Sequence, residues 1–197
     1  MKLIRQLRCI FADILFLLCS PSVKAAINDD VKRYAKWNNS LKRISNPLLR
    51  LNLLLLSKPE FRSVFCFRTG RRRFFSTLNR LCLPKAEAVE ISGDIGAGLF
   101  VSHLHSVICP EKSGRNLRVG PGAVICGDDD GSPVLGNNVY VASNAVVVGK
   151  LSIGDNVLIG AGSVVTHDLG SDAVYVGNPA HLVKKLKEGD ALLEEIK

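Results

Sequence analysis

Residues 135–165 read LGNNVYVASNAVVVGKLSIGDNVLIGAGSVV. Aliphatic side chains recur there at six-residue intervals, at Leu135, Val141, Val147, Ile153, Ile159 and Val165. A second register follows four residues behind, at Val139, Ala145, Leu151, Val157, Ser163 and Leu169, where the side chains are small or apolar. A period of six is neither the 3.6 of a helix nor the 2 of a half-buried strand, so the segment reads as a short structural repeat. Such a repeat winds into a triangular prism. Each coil contributes three short strands whose aliphatic residues point at the axis, and stacking pairs the backbone groups of neighbouring coils. Small residues and left-handed Gly or Asn fit the corners.

Working outward, the same period runs through Ile95, Val101, Val107, Val119 and Ile125, with Ser113 the one non-aliphatic member. The step from Ile125 to Leu135 is four residues too long. The excess must be extruded as a loop within Cys126-Gly-Asp-Asp-Asp-Gly-Ser-Pro133, which is turn chemistry. Beyond Leu169 the phase is lost. Val174–Ala180 is expected to cover the end of the prism, with a helix after Leu182 folded over a neighbouring copy.

The first part of the chain differs. Residues 1–85 carry 18 Lys and Arg against 4 Asp and Glu, whereas residues 86–197 carry 8 against 14, so the net charge of +8 comes from a basic half joined to an acidic one. Residues 29–83 have helical patterning interrupted at Asn46-Pro47 and Lys58-Pro59. The leucines of residues 48–56 predict a helix that is buried or shared between subunits. Lys2, Arg5 and Arg8 precede an apolar run interrupted by Asp13 and too short to span a bilayer, which reads as an N-terminal amphipathic helix in preference to a signal peptide. Six scattered cysteines without CxxC spacing read as reduced thiols of a cytoplasmic protein. Three segments are expected: a basic helical region, 1–85; a β-helix, 86–181; and a C-terminal helix, 182–197.

The stretch Ile91–Lys185 resembles the serine O-acetyltransferase branch of the hexapeptide-repeat acyltransferases, which includes enzymes of surface-polysaccharide synthesis. The motifs carrying the likeness are Ile95-Gly-Ala-Gly-Leu-Phe-Val-Ser-His103, the 127–133 loop, Ile153-Gly-Asp-Asn-Val-Leu-Ile-Gly-Ala-Gly-Ser-Val-Val165 and Val176-Gly-Asn-Pro-Ala180. The resemblance implies a mainly β fold, a left-handed parallel β-helix of hexapeptide repeats with an α-helical N-terminal region and a short C-terminal helix. It also implies a homotrimer, or a larger assembly through the N-terminal helices, with acetyl-CoA as co-substrate in a groove between prisms and no metal.

His103 matches the family's general base, and an imidazole has the chemistry to accept a hydroxyl proton and return it to the CoA thiolate. Ser102, His105, Asp130 and Ser132 are candidate acceptor-site residues, with His105 in the small-residue register. Ala142, Ala161 and Gly162 are implied CoA contacts through backbone groups, and Lys184 and Lys185 candidate partners of its phosphates.

Two departures bear on the acceptor. Serine acetyltransferases carry Asp before the base, where Ser102 stands, and Arg-His before the loop proline, where Gly131-Ser132 stands. An amino-acid acceptor needs a cation and an anion, and the matched positions supply neither. This ranks a sugar hydroxyl of a surface glycan above L-serine, with a non-catalytic scaffold as a third reading. The spacing of His103, His105, His167 and His181 does not fit a zinc site built across neighbouring coils. Nucleic acid is not expected as a partner, whereas peripheral contact with the inner membrane face is compatible with the basic helices.

Overall fold

The computed structural model describes residues 7–70 and 73–196. The chain divides into two compact units, Met1–Glu87 and Ala88–Lys197.

The first unit is helical: α1 (Ile10–Leu18), α2 (Pro21–Lys36), α3 (Asn39–Lys42), α4 (Pro47–Ser57), α5 (Pro59–Thr69) and α6 (Arg73–Cys82). The breaks expected from sequence are helix starts. Asn46 Oδ1 accepts from the N–H groups of Leu48 and Leu49 at 3.0 and 3.2 Å, and Pro47 follows at the first helical position. Lys58 ends α4, and Pro59 opens α5. Leu51, Leu54 and Leu55 are buried, but Leu48, Leu49 and Leu53 reach solvent, so one face of the leucine run packs within the chain and the other is open. Asp30 and Arg68 form a buried pair (2.8 and 3.2 Å), and Arg62 donates to the carbonyls of Leu55, Leu56 and Pro84. Removing one partner from such a buried pair typically costs about 3–5 kcal/mol.

The second unit is a parallel β-helix whose three faces are three sheets. Face A stacks β1 (Val89–Ile91), β4 (Ser106–Ile108), β7 (Val124–Cys126), β10 (Val146–Val148) and β13 (Val164–Val165). Face B stacks β2 (Asp94–Ile95), β5 (Lys112–Ser113), β8 (Val134–Leu135) and β11 (Ser152–Ile153). Face C stacks β3 (Phe100–Val101), β6 (Arg118–Val119), β9 (Tyr140–Val141), β12 (Val157–Ile159) and β14 (Ala173–Val176), and β15 (His181–Lys185) closes it as an antiparallel strand. Leu135, Val141, Val147, Ile153, Ile159 and Val165 are all buried, as their spacing requires.

The register slips twice. Ile108, not Val107, is the buried aliphatic residue of β4, and Ile108 pairs with Ile91 and Ile125. Val101 to Ser106 is one residue longer than Val119 to Ala123 at the same corner of the next coil, and Ile108 to Ser113 is correspondingly short. Leu169 pairs with Ile153, so it continues the first register rather than the second.

The corner between faces B and C is a ladder. Asn116, Asn138, Asn156 and Asp172 all have left-handed φ of 54–63°. Each Asn amide donates to the next side-chain oxygen, at 2.8, 2.8 and 2.7 Å. Asparagine tolerates this backbone and satisfies its own polar atoms across the 4.8 Å or so between coils.

The C-terminal segment departs from expectation. Residues 181–185 are strand, and the short helix α7 (Ala191–Ile196) starts later. Leu186, Leu193 and Ile196 pack on Tyr140, Leu158 and Val174 of the chain's own face C, not on a neighbour. Arg118 ties the helix down by donating to Glu195 at 2.9 Å, with its guanidinium 4.1 Å above the Tyr140 ring. Gly177 and Ala180 close the last strand of face A through hydrogen bonds with Val164.

Replacing Asn138 tests the ladder. Asn138→Leu loses two side-chain hydrogen bonds and forces a γ-branched residue into left-handed backbone, an expected loss of about 2–4 kcal/mol. Asn138→Gly is expected to recover roughly the conformational half of that loss, and urea unfolding midpoints of the two variants measure the difference.

Candidate active site

The edge where face C turns into face A carries the first candidates. Its corners have one pattern. Val119-Gly-Pro-Gly122, Val141-Ala-Ser-Asn144 and Ile159-Gly-Ala-Gly162 each end on a left-handed residue, at φ of 67, 56 and 69°. The first coil turns through Val101-Ser-His-Leu-His105, and His105 fills the same left-handed slot at φ 67°. That slot suits Gly, and a histidine held there is the kind of strained position found near functional sites. His105 is exposed; Ser106 occupies the inward small-residue register that His105 was expected to hold, and its Oγ donates to Gly120 O at 3.1 Å.

The additional residue of this corner pushes His103 outward, where it is exposed. Ser102 anchors the corner below it: its N–H and its Oγ both donate to Val119 O, at 2.9 and 3.1 Å. The ladder then continues from Gly120 N to Val141 O, Ala142 N to Ile159 O and Gly160 N to Tyr175 O. His103, Ala142, Ala161 and Gly162 therefore lie along a single edge. Ala142 is buried, while Ala161 and Gly162 are exposed.

Asp130 and Ser132 lie elsewhere. Their loop leaves at the opposite border of face A, where it turns into face B. Asp128 organises the loop: its backbone pairs with Gly131, and its Oδ1 accepts from the N–H groups of Asp130 and Gly131 at 3.0 and 3.2 Å. Asp128, Asp130, Gly149, Lys150 and Thr166 help to line a cleft of about 540 Å³. Lys150 belongs to the next coil, and its aliphatic stem lies against Gly131, where a Cβ would meet it at 3.3 Å. A cation and two carboxylates thus share one cleft, a pairing invisible in the linear motif because Lys150 is contributed by the stacked coil.

Lys184 and Lys185 lie on β15, not on a helix. Lys184 Nζ donates to Asp190 at 2.9 Å, which with the Lys187 N–H holds that carboxyl below the usual range, and Lys185 Nζ donates to Ser171 O at 3.2 Å. Both ammonium groups are exposed. Among the described residues no three His, Cys, Asp or Glu side chains converge as metal ligands.

Residues 132–167 match the bacterial transferase hexapeptide (six repeats) family. A serine acetyltransferase of Helicobacter pylori is 31% identical over 146 residues, covering 67% of this chain and 85% of the relative. The chain belongs to the serine O-acetyltransferase-like branch of the hexapeptide-repeat acyltransferases. A serine acetyltransferase of Synechococcus elongatus is 34% identical over 148 residues, 66% of this chain and 59% of the relative's own length. A solved serine acetyltransferase in complex with CoA superposes with a TM-score of 0.62 at 20% identity, over 83% of this chain and 70% of that one. The prism is accordingly the left-handed parallel β-helix of this branch.

Gly149 offers a probe of the loop. It has φ 99°, and a Cβ there would lie 2.8 Å from Asp128 Oδ2. Gly149→Ala is expected to displace that carboxylate and release the turn, seen as roughly tenfold faster hydrogen exchange at the Asp130 and Gly131 amides, since about 1.4 kcal/mol of lost protection suffices.

Proposed function

We propose that this chain is an acetyl-CoA-dependent O-acetyltransferase in which His103 is the general base. The acceptor hydroxyl attacks the thioester carbonyl as its proton passes to the imidazole. The tetrahedral intermediate collapses with cleavage of the C–S bond, and the imidazolium returns the proton to the CoA thiolate. The observation that carries this reading is the outward imidazole at the foot of an edge of small-residue corners. With coils about 4.8 Å apart, Ala142 and Gly162 stand roughly 10 and 14 Å along the edge, the reach of an extended pantetheine arm. Lys184 and Lys185 carry the charge that the CoA phosphates require, but β15 sets them opposite Val174 and Ala173, at the border of face C with face B rather than on the His103 edge.

The reading includes a homotrimer. From β4 onward the outer positions of face A are Val107, Val124, Val146 and Val164, all half-buried, with the exposed Glu90 beginning the column on β1, whereas face B presents Asp94, Lys112, Val134 and Ser152, and face C is covered by α7. Three A faces turned towards a common axis would bury the valines. The His103 edge of one copy would then adjoin the 126–133 loop of the next, which joins the two groups of candidates.

For the acceptor we favour L-serine. Lys150 and Asp130 supply the cation and anion that its carboxylate and ammonium require, and the relatives' names point the same way. Gly131-Ser132, in place of the family's Arg-His, supports a second reading, a sugar hydroxyl of a glycan or its precursor.

Thiol release from acetyl-CoA with L-serine and with sugars separates these readings. Turnover on L-serine is expected, and His103→Ala is expected to lower kcat about 10²–10⁴-fold. An unchanged rate in that variant removes the base assignment, and failure to bind acetyl-CoA at all supports a scaffold. Lys150→Ala is expected to raise KM for L-serine about tenfold with KM for acetyl-CoA little changed, since a charge-assisted contact is worth about 1.5–3 kcal/mol.

A further inference from the structure

The helical unit turns one apolar face to water. Leu7, Ile10, Leu17 and Leu18, on α1 and the turn before it, are exposed at 58, 47, 65 and 47%, and their spacing puts them on a common side of the helix. Leu81 of α6 is exposed at 76%. Arg8 donates from Nε and Nη2 to the Cys82 carbonyl at 3.0 and 2.8 Å, which brings the start of α1 beside the end of α6. A contiguous exposed apolar patch marks a surface that meets something other than water.

The charge around this face is predominantly positive. Residues 1–85 contain four carboxylates, and all four are engaged or turned inward. Asp13, the acid of α1, accepts from Asn52 Nδ2 at 3.2 Å, and burial pushes its pKa up. Asp29 pairs with Lys32, Asp30 with Arg68, and Glu60, itself buried, with Lys58. Arg80 and Lys85 meanwhile are exposed and close to Leu81 in the chain, and Arg8 is exposed where it meets the Cys82 carbonyl, while Glu87 is an exposed carboxylate two residues beyond Lys85.

We propose that the α1–α6 face docks on an anionic phospholipid surface, with α1 lying in the plane of the interface, its leucines at the acyl boundary and the basic groups against lipid phosphates. At nine residues α1 suits an interfacial position, and among the described residues no helix is long and apolar enough to cross a membrane. A second copy of this unit would bring two strongly basic surfaces together. A nucleic acid would match the charge but leave the leucines facing water. The proposal is independent of the acceptor and of His103.

Sedimentation of the full chain with vesicles tests it, using phosphatidylcholine alone and phosphatidylcholine mixed with phosphatidylglycerol. Binding is expected to the mixed vesicles, weakened by salt, and at least about tenfold weaker for a Leu17→Ser, Leu81→Ser double variant of unchanged helicity. An Arg80→Glu, Lys85→Glu variant is expected to lose about fivefold or more for each charge removed. Equal binding to both vesicle types, or leucine variants that bind as the parent does, overturns the proposal. A drop in assembly mass in the leucine variant, with vesicle binding intact, overturns it in favour of contact between copies. Tight DNA association that ignores the leucines, without vesicle binding, overturns it in favour of a nucleic-acid surface.

Discussion

The structure depends on keeping successive coils in register while each turns three corners. Backbone hydrogen bonds between coils are satisfied only if each short strand lies directly above its predecessor. The aliphatic column supplies the driving force, because a side chain out of phase would expose itself and leave a hole in the axis. The corners supply the geometry. Asn116, Asn138, Asn156 and Asp172 hold one edge through side-chain hydrogen bonds running along the stack, and a second set does so beside it, with Asn137, Asp155 and Ser171 each accepting from the backbone N–H of the preceding coil.

Against this regular frame, both insertions lie at a border of face A. The first coil admits an additional residue and thereby presents His103, with His105 held in left-handed backbone beneath the corner. The second coil extrudes Cys126–Pro133 and thereby presents Asp130 and Ser132. A prism that tolerates insertions only at corners concentrates its variable chemistry on its edges, because a residue added within a strand would reverse every later side chain. Chemistry carried on loops held by a rigid scaffold is a general arrangement, here in its simplest geometric form.

The helical unit uses a different economy of charge. Most of its acids are paired or turned inward, most completely in the Asp30–Arg68 pair, so the outer surface is predominantly positive. Asp13 interrupts the apolar run of α1 in the sequence but not on the helix surface, since it turns toward Asn52. That one rotation decides whether the helix presents a broken or a continuous apolar side.

Much of this was legible in the linear chain. The six-residue aliphatic spacing, the four surplus residues after Ile125 and the proline-marked helix starts follow from local rules: period, chain length and missing N–H donors. The register of β4 was not legible, because Val107 and Ile108 are both aliphatic and only the stacking of Ile108 on Ile91 and Ile125 chooses between them. Nor were the closeness of Lys150 to Asp128 and Asp130, the strand at 181–185, or the packing of α7 on its own prism. Each depends on which coil lies next to which, and a tertiary contact between residues of different coils leaves no signature in the neighbourhood of either one. The sequence by itself determined the kind of solid into which the chain winds, since burial periodicity is a property of consecutive residues. Only the tertiary structure decided which side chains share an edge, because that is a property of the stack.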